Sequence, residues 1–152
     1  MQAEKEWAKL KKKWRKLPEW SWLFKNFHPK TEEGILTMNV QNAVMNKLDI
    51  VAREMIEPII GGSENYCCYF ERRMLSDTER EHLFEIYRQL MAMLWKGNKL
   101  AVDFSEKEFA EWLSDTRKNW DAMKPKLSKF YEKLAISWEK YKKPAEETAY
   151  HG

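Results

Sequence analysis

The sequence predicts an all-α fold, a bundle of four to five helices that a long, kinked C-terminal helix would elongate. Three observations predict it: apolar residues recur every three or four positions, only five Gly and five Pro occur in 152 residues, and two Ser-x-x-Glu capping boxes mark helix starts. We expect one helical domain over residues 1–141, made of a basic, aromatic N-terminal arm (1–30) and a bundle body (31–141), with a disordered tail at 142–152. Because the chain shows neither a transmembrane-length apolar run nor a signal peptide, we expect a cytoplasmic protein.

The arm begins with an amphipathic helix, predicted over residues 3–17 and ended by Pro18. Its apolar face is spaced by three and four residues and consists of Trp7, Leu10, Trp14 and Leu17. Residues 1–30 hold nine Lys or Arg and three Glu, a net charge of +6, whereas the rest of the chain carries −3. The aromatic stretch at 19–29 has no clear period, so no secondary structure is predicted for it.

The middle of the chain predicts three more helices. One runs over residues 38–56 and is ended by Pro58 and the glycines that follow, and a short one lies at 64–75. A long helix starts at the capping box of Ser76 and ends at Lys96-Gly97, where a basic last turn precedes glycine. Its apolar residues cover more than one face, so we expect it to be the most buried helix. They are Leu83, Phe84, Ile86, Tyr87, Leu90, Met91, Met93, Leu94 and Trp95.

The last helical region starts at a second capping box, Ser105 with Glu108. Its apolar residues form one regular seam: Phe109, Leu113, Thr116, Trp120, Met123, Leu127, Phe130, Leu134, Trp138 and Tyr141. Pro125 lies inside it and leaves two alternatives, a hairpin or one kinked helix, of which we favour the single helix because the seam keeps its register.

An unbroken last helix would be about 54 Å long, more than the roughly 40 Å diameter of a compact domain of this size. Four residues near its end would then need a cover, and we call them the C-terminal seam: Phe130, Leu134, Trp138 and Tyr141. Residues 1–17 could cover this seam within the chain, or a second copy could do so across a two-fold axis.

Recognised catalytic motifs are missing from the sequence, so we expect a protein that is not an enzyme and has no cofactor or metal. Glu79 and His82 have the Glu-x-x-His spacing of di-metal bundles, but they supply half of such a site at best. Cys67 and Cys68 are adjacent, which fits neither a zinc site nor a normal disulfide.

The leading functional hypothesis is a non-enzymatic helical interaction or assembly protein that forms homodimers or binds a protein partner through the C-terminal seam. The alternative is a nucleic-acid-binding accessory protein, in which the basic arm neutralises phosphates and a Trp stacks on bases. Its candidate residues are Lys9, Lys11, Lys12, Lys13, Trp14, Arg15 and Lys16. The same helix could instead lie on an anionic membrane surface, or dock its apolar face on the bundle body, which is the interpretation we favour for the arm.

The nucleic-acid hypothesis predicts oligonucleotide binding that weakens steeply with salt, because cations released from the phosphates drive it. Replacing Lys11, Lys12, Lys13 and Arg15 by Gln should weaken that binding further. Fluorescence anisotropy with single- and double-stranded oligonucleotides, at low and near-physiological salt, measures both effects. An intact chain that binds neither oligonucleotide would contradict the hypothesis.

Overall fold

The structure is a computed structural model, and it describes residues 1–61 and 66–141; the predicted disordered tail lies outside these ranges. Within them the chain is helical and contains no strand, which confirms the all-α bundle. The helices are α1 (Gln2–Lys13), α2 (Trp20–Phe27), α3 (Leu36–Asp49), α4 (Glu57–Ile60), α5 (Tyr66–Met74), α6 (Asp77–Val102) and α7 (Glu106–Glu139). In these parts of the chain, no helix is both long enough and apolar enough to cross a membrane.

The three longest helices, α3, α6 and α7, frame the core, and α6 packs against both of the others. The predicted periodicity holds here: Val40, Val44 and Leu48 of α3 are fully buried, and so are Phe109 and Leu113 of α7. Short helices pack around these three, so the described residues form more helices than the sequence predicted. The unassigned aromatic stretch, for example, forms α2.

Between α3 and α4 the helical path continues as a π-helix, Ile50–Ile56. Pro58 was expected to end this helix, but it lies in the first turn of α4, where a missing N–H costs least. The path ends at Gly61, one of the glycines that were predicted to end it, and the N–H of Gly61 donates to the carbonyl of Glu57 at 2.7 Å.

The arm docks on the body, although its first helix ends at Lys13 and not at Leu17. Two hydrogen bonds hold the turn that follows. The indole Nε1 of Trp7 donates to the carbonyl of Pro18 at 2.8 Å, and Lys11 Nζ donates to the carbonyl of Leu17 at 2.8 Å. The turn directs Leu17 into the core, where it and Trp7 are each 1 % exposed.

Gly97 does not end α6, which runs on to Val102. The glycine is buried where α6 crosses its neighbours. A Cβ there would stand 3.0 Å from Cζ2 of Trp112 and would overlap the sulfur of Met45. The carbonyl of Gly97 also accepts a hydrogen bond from Gln41 Nε2 at 3.1 Å. The glycine therefore permits a close helix crossing, and the prediction of a C-terminal cap was wrong.

The last helix is one continuous element of 34 residues, as favoured, with Pro125 inside it. Proline at this position removes the hydrogen bond to the carbonyl of Asp121. Both residues are exposed, so water can reach that carbonyl. The far end of α7 packs against α5, whereas the arm contacts the start of α7, at Glu106 and Glu111.

Substituting Gly97 with Ala should lower the free energy of unfolding by about 1–3 kcal/mol, because the added methyl overpacks the crossing. In an open helix the same change would stabilise by up to about 1 kcal/mol. Urea denaturation of the wild type and the variant measures the difference.

Combining Gly97→Ala with Met45→Ala provides the control. The free energy of unfolding of the double variant should fall by less than the sum of the decreases in the two single variants, since the shortened side chain at position 45 makes room for the methyl. A stabilised Gly97→Ala variant would show that the crossing does not require glycine.

Candidate interaction surface

The side of α6 that points away from the core carries large apolar side chains. Its buried residues lie together on the other side: Leu83, Ile86, Leu90, Met93, Leu94, Gly97 and Leu100. Opposite them, Phe84 is 54 % exposed, Trp95 63 % and Val102 91 %. The expectation that α6 is buried on more than one face is therefore wrong for Phe84 and Trp95.

These exposed residues belong to a regular pattern. Starting from Phe84, residues at alternating spacings of four and three lie on one line of the helix, which we call the outer face of α6. They are Phe84, Arg88, Met91, Trp95, Asn98 and Val102, of which Met91 and Asn98 are half-buried and Met91 packs against the core. This is the heptad spacing with which a helix meets another helix, sustained over about 27 Å. The spacing of these residues is visible in the sequence, but the exposure of Phe84, Trp95 and Val102 is known only from the structure.

Polar residues flank the outer face on the side of α7. Arg88 Nε donates to Glu85 Oε2 at 2.9 Å, and this guanidinium holds the pKa of the Glu85 carboxyl below its usual range. Ala92 follows Glu85 by one heptad, and Lys99 follows it by two. Lys99 Nζ lies 3.4 Å from Glu108 Oε1 of α7. This flank therefore carries an acid at one end, a base at the other and a small residue between them.

An apolar groove of about 350 Å³ lies between the start of α3 and the end of α6. We call it the end groove, and its apolar walls are Ile35, Met38, Leu100, Ala101 and Phe104. Ile35 is 63 % exposed, Met38 52 % and Phe104 48 %. The α6 walls of this groove, Leu100 and Ala101, lie on the side of the helix next to α3 and are not residues of the outer face.

The C-terminal seam, by contrast, has a cover within the chain. Phe130 is buried, and Leu134, Trp138 and Tyr141 are half-buried. The ring of Phe70 on α5 lies 4.3 Å from that of Trp138 and 4.8 Å from that of Tyr141, measured between centroids. Trp138 Nε1 also donates to Glu71 Oε2 at 3.1 Å. A role for this seam in binding a partner stays a prediction.

The basic arm is partly neutralised by acids of the body. Lys13 pairs with Glu106 at 3.0 Å, and Lys16 pairs with Glu111 at 3.4 Å. Trp14 is half-buried, and its Nε1 donates to Glu106 at 2.6 Å. These contacts hold the pKa of the Glu106 carboxyl below its usual value, chiefly through the indole and then through the lysine.

Lys11 pairs within the arm, with Glu19 at 3.1 Å. In the described ranges Lys9, Lys12 and Arg15 form no ion pair, and all three are exposed. Nucleic-acid binding by the arm stays a prediction, with these three as its unpaired cations.

Glu79 and His82, the half-site weighed for a metal, lie on the first turns of α6. Glu79 completes the Ser76 capping box and pairs with Lys133 of α7, which together lower the pKa of its carboxyl. Within residues 1–61 and 66–141, no three His, Cys, Asp or Glu side chains lie close enough to hold a metal ion. Cys67 is exposed and Cys68 half-buried on α5.

Comparison with protein-family models, with curated proteins and with solved structures gave no match to this chain.

Replacing Glu106 by Gln should weaken the packing of the arm on the body and change how the melting temperature depends on pH. A carboxyl with a lowered pKa stabilises the folded state above its unfolded pKa, about 4.3, and this contribution is lost as the pH falls through the folded value. The variant should therefore unfold at a lower temperature than the wild type at pH 7. The gap between their melting temperatures should narrow as the pH falls below about 4.

Glu111→Gln is the matched control, because its pair with Lys16 is exposed and such pairs contribute little. Thermal unfolding from pH 7 to pH 3 compares the three proteins. A gap between Glu106→Gln and the wild type that stays constant with pH would contradict a role for the ionised carboxylate.

Proposed function

We propose that this protein is a non-enzymatic interaction and assembly protein that self-associates, and that the outer face of α6 is its contact surface. One observation carries the proposal: Phe84, Trp95 and Val102 are exposed on the side of α6 opposite the core, at heptad spacing. Large apolar side chains grouped on one exposed face mark interaction sites in soluble proteins. Aromatic anchors such as Trp and Phe contribute most to interface energy.

The position of this face on the fold supports the proposal. Because α6 is fixed by α3 and α7, its outer face is held on a rigid element, and association costs less conformational entropy than it would on a loop. The arm and α5 already have partners within the chain, since the ring of Trp7 packs against Phe109 of α7 and that of Phe70 against Trp138. In the described residues, α6 thus carries three large exposed apolar side chains on one line, Phe84, Trp95 and Val102.

The titratable groups also favour a structural protein. Catalytic sites gather groups with shifted pKa values in a cleft. Here the lowered pKa values of Glu79 and Glu106 arise from contacts that join two helices, α6 to α7 and α1 to α7. Burial is the cause of the raised pKa of the Tyr131 phenol. Each shift has a structural explanation.

Replacing Trp95 by Ser should convert the dimer to a monomer. Burying one large apolar side chain contributes roughly 1.5–3 kcal/mol, and a two-fold interface loses two of them, so the dissociation constant should rise at least about 100-fold. Sedimentation equilibrium over a micromolar concentration series measures the change.

Phe24→Ser is the matched control, since Phe24 is 43 % exposed but lies on α2, away from the outer face. It should leave the dissociation constant unchanged, and circular dichroism should show both variants folded. A wild-type chain that remains monomeric through the series, or equal effects of the two variants, would contradict the proposal.

A further inference from the structure

The residues of the outer face restrict how two copies of α6 can pair. In a parallel pair each residue of the line faces its own counterpart, so Arg88 would meet Arg88 of the second copy at the contact line. Like charges at such a position destabilise the pair, and each guanidinium would lose water and keep only Glu85 of its own chain as an acceptor. The outer face thus disfavours the parallel arrangement.

An antiparallel pair places unlike residues together. With the two helices centred on one another, Phe84 lies opposite Val102 of the second copy, and Met91 lies opposite Trp95. Arg88 then meets Asn98, whose carboxamide oxygen can accept from the guanidinium. Every apolar residue of the line faces another apolar residue.

The flank on the α7 side fits the same register. There Glu85 of one copy lies beside Lys99 of the other, an acid beside a base. Ala92 comes next to Ala92 of the second copy, on the two-fold axis, where a small residue lets the helices approach closely. The charges are therefore self-complementary in this arrangement, as a two-fold interface requires.

We propose that two copies pair antiparallel along α6 with Ala92 at the two-fold axis, so that Phe84 of each copy packs against Val102 of the other. This inference rests on the proposed function, because it specifies the partner and geometry of the same face.

Disulfide cross-linking tests the register. In a background with Cys67 and Cys68 replaced by Ser, Ala92→Cys should form a covalent dimer on mild oxidation, because the two sulfurs meet at the axis. Ala101→Cys is the matched control: it lies on the same helix and is also exposed, but in this register its two copies are about 21 Å apart. It should remain monomeric on a non-reducing gel.

Charge reversal gives a second, independent readout. Glu85→Lys and Lys99→Glu should each raise the dissociation constant on the order of tenfold, because each creates two like-charge contacts across the axis. The double variant should restore most of the affinity. The intrachain pairs with Arg88 and Glu108 cannot explain that restoration, since both are broken in the double variant.

The outcomes separate the two proposals. Cross-linking at 92 but not at 101, with rescue by the double variant, supports the antiparallel dimer. A dimer that Trp95→Ser disrupts, but that cross-links at both positions or at neither and shows no rescue, overturns the arrangement and leaves self-association in place. A chain that is monomeric at all concentrations overturns both.

Discussion

The bundle depends on the close crossing at Gly97, where α3, α6 and α7 meet. Gln41 of α3 donates to the carbonyl of Gly97, and Trp112 of α7 donates its indole N–H to the carbonyl of Met93 at 2.9 Å. Both bonds end on backbone carbonyls of α6, so they fix its rotation as well as its distance. Once that rotation is set, Leu90 and Met93 point into the core and Trp95 points to solvent. The candidate surface is therefore a consequence of this crossing.

Much of the fold could be predicted from local patterns. The seam of α7 is buried from Phe109 through Phe130, and the capping box at Ser76 forms with both of its hydrogen bonds. These features depend on spacing within one helix, which the sequence displays directly. Helix ends were harder to predict, because Gly97 and Leu17 take part in contacts with residues far along the chain. A glycine that admits a neighbouring helix looks the same in sequence as one that ends a helix.

The candidate surface was missed for a related reason. A helix with apolar residues on two faces does not reveal which face its neighbours cover, so Phe84 and Trp95 were placed in the core with Leu90. The charge of the arm was misleading in the same way. Lys13 and Lys16 find acids on α7, about ninety residues away, and no local pattern marks Glu106 or Glu111 as their partners. In both cases the missing information is tertiary.

The contacts between the arm and α7 also bear on how the chain is made. Trp14 reaches Glu106 across 92 residues of sequence, and Trp22 reaches Asp121 across 99. During synthesis the arm leaves the ribosome long before these partners exist, and at about 5–20 residues per second it waits on the order of 5–20 s for them. Through that interval a basic, tryptophan-rich helix has no bundle to dock on. The arm therefore completes its folding only after translation of α7, and until then it is available to chaperones.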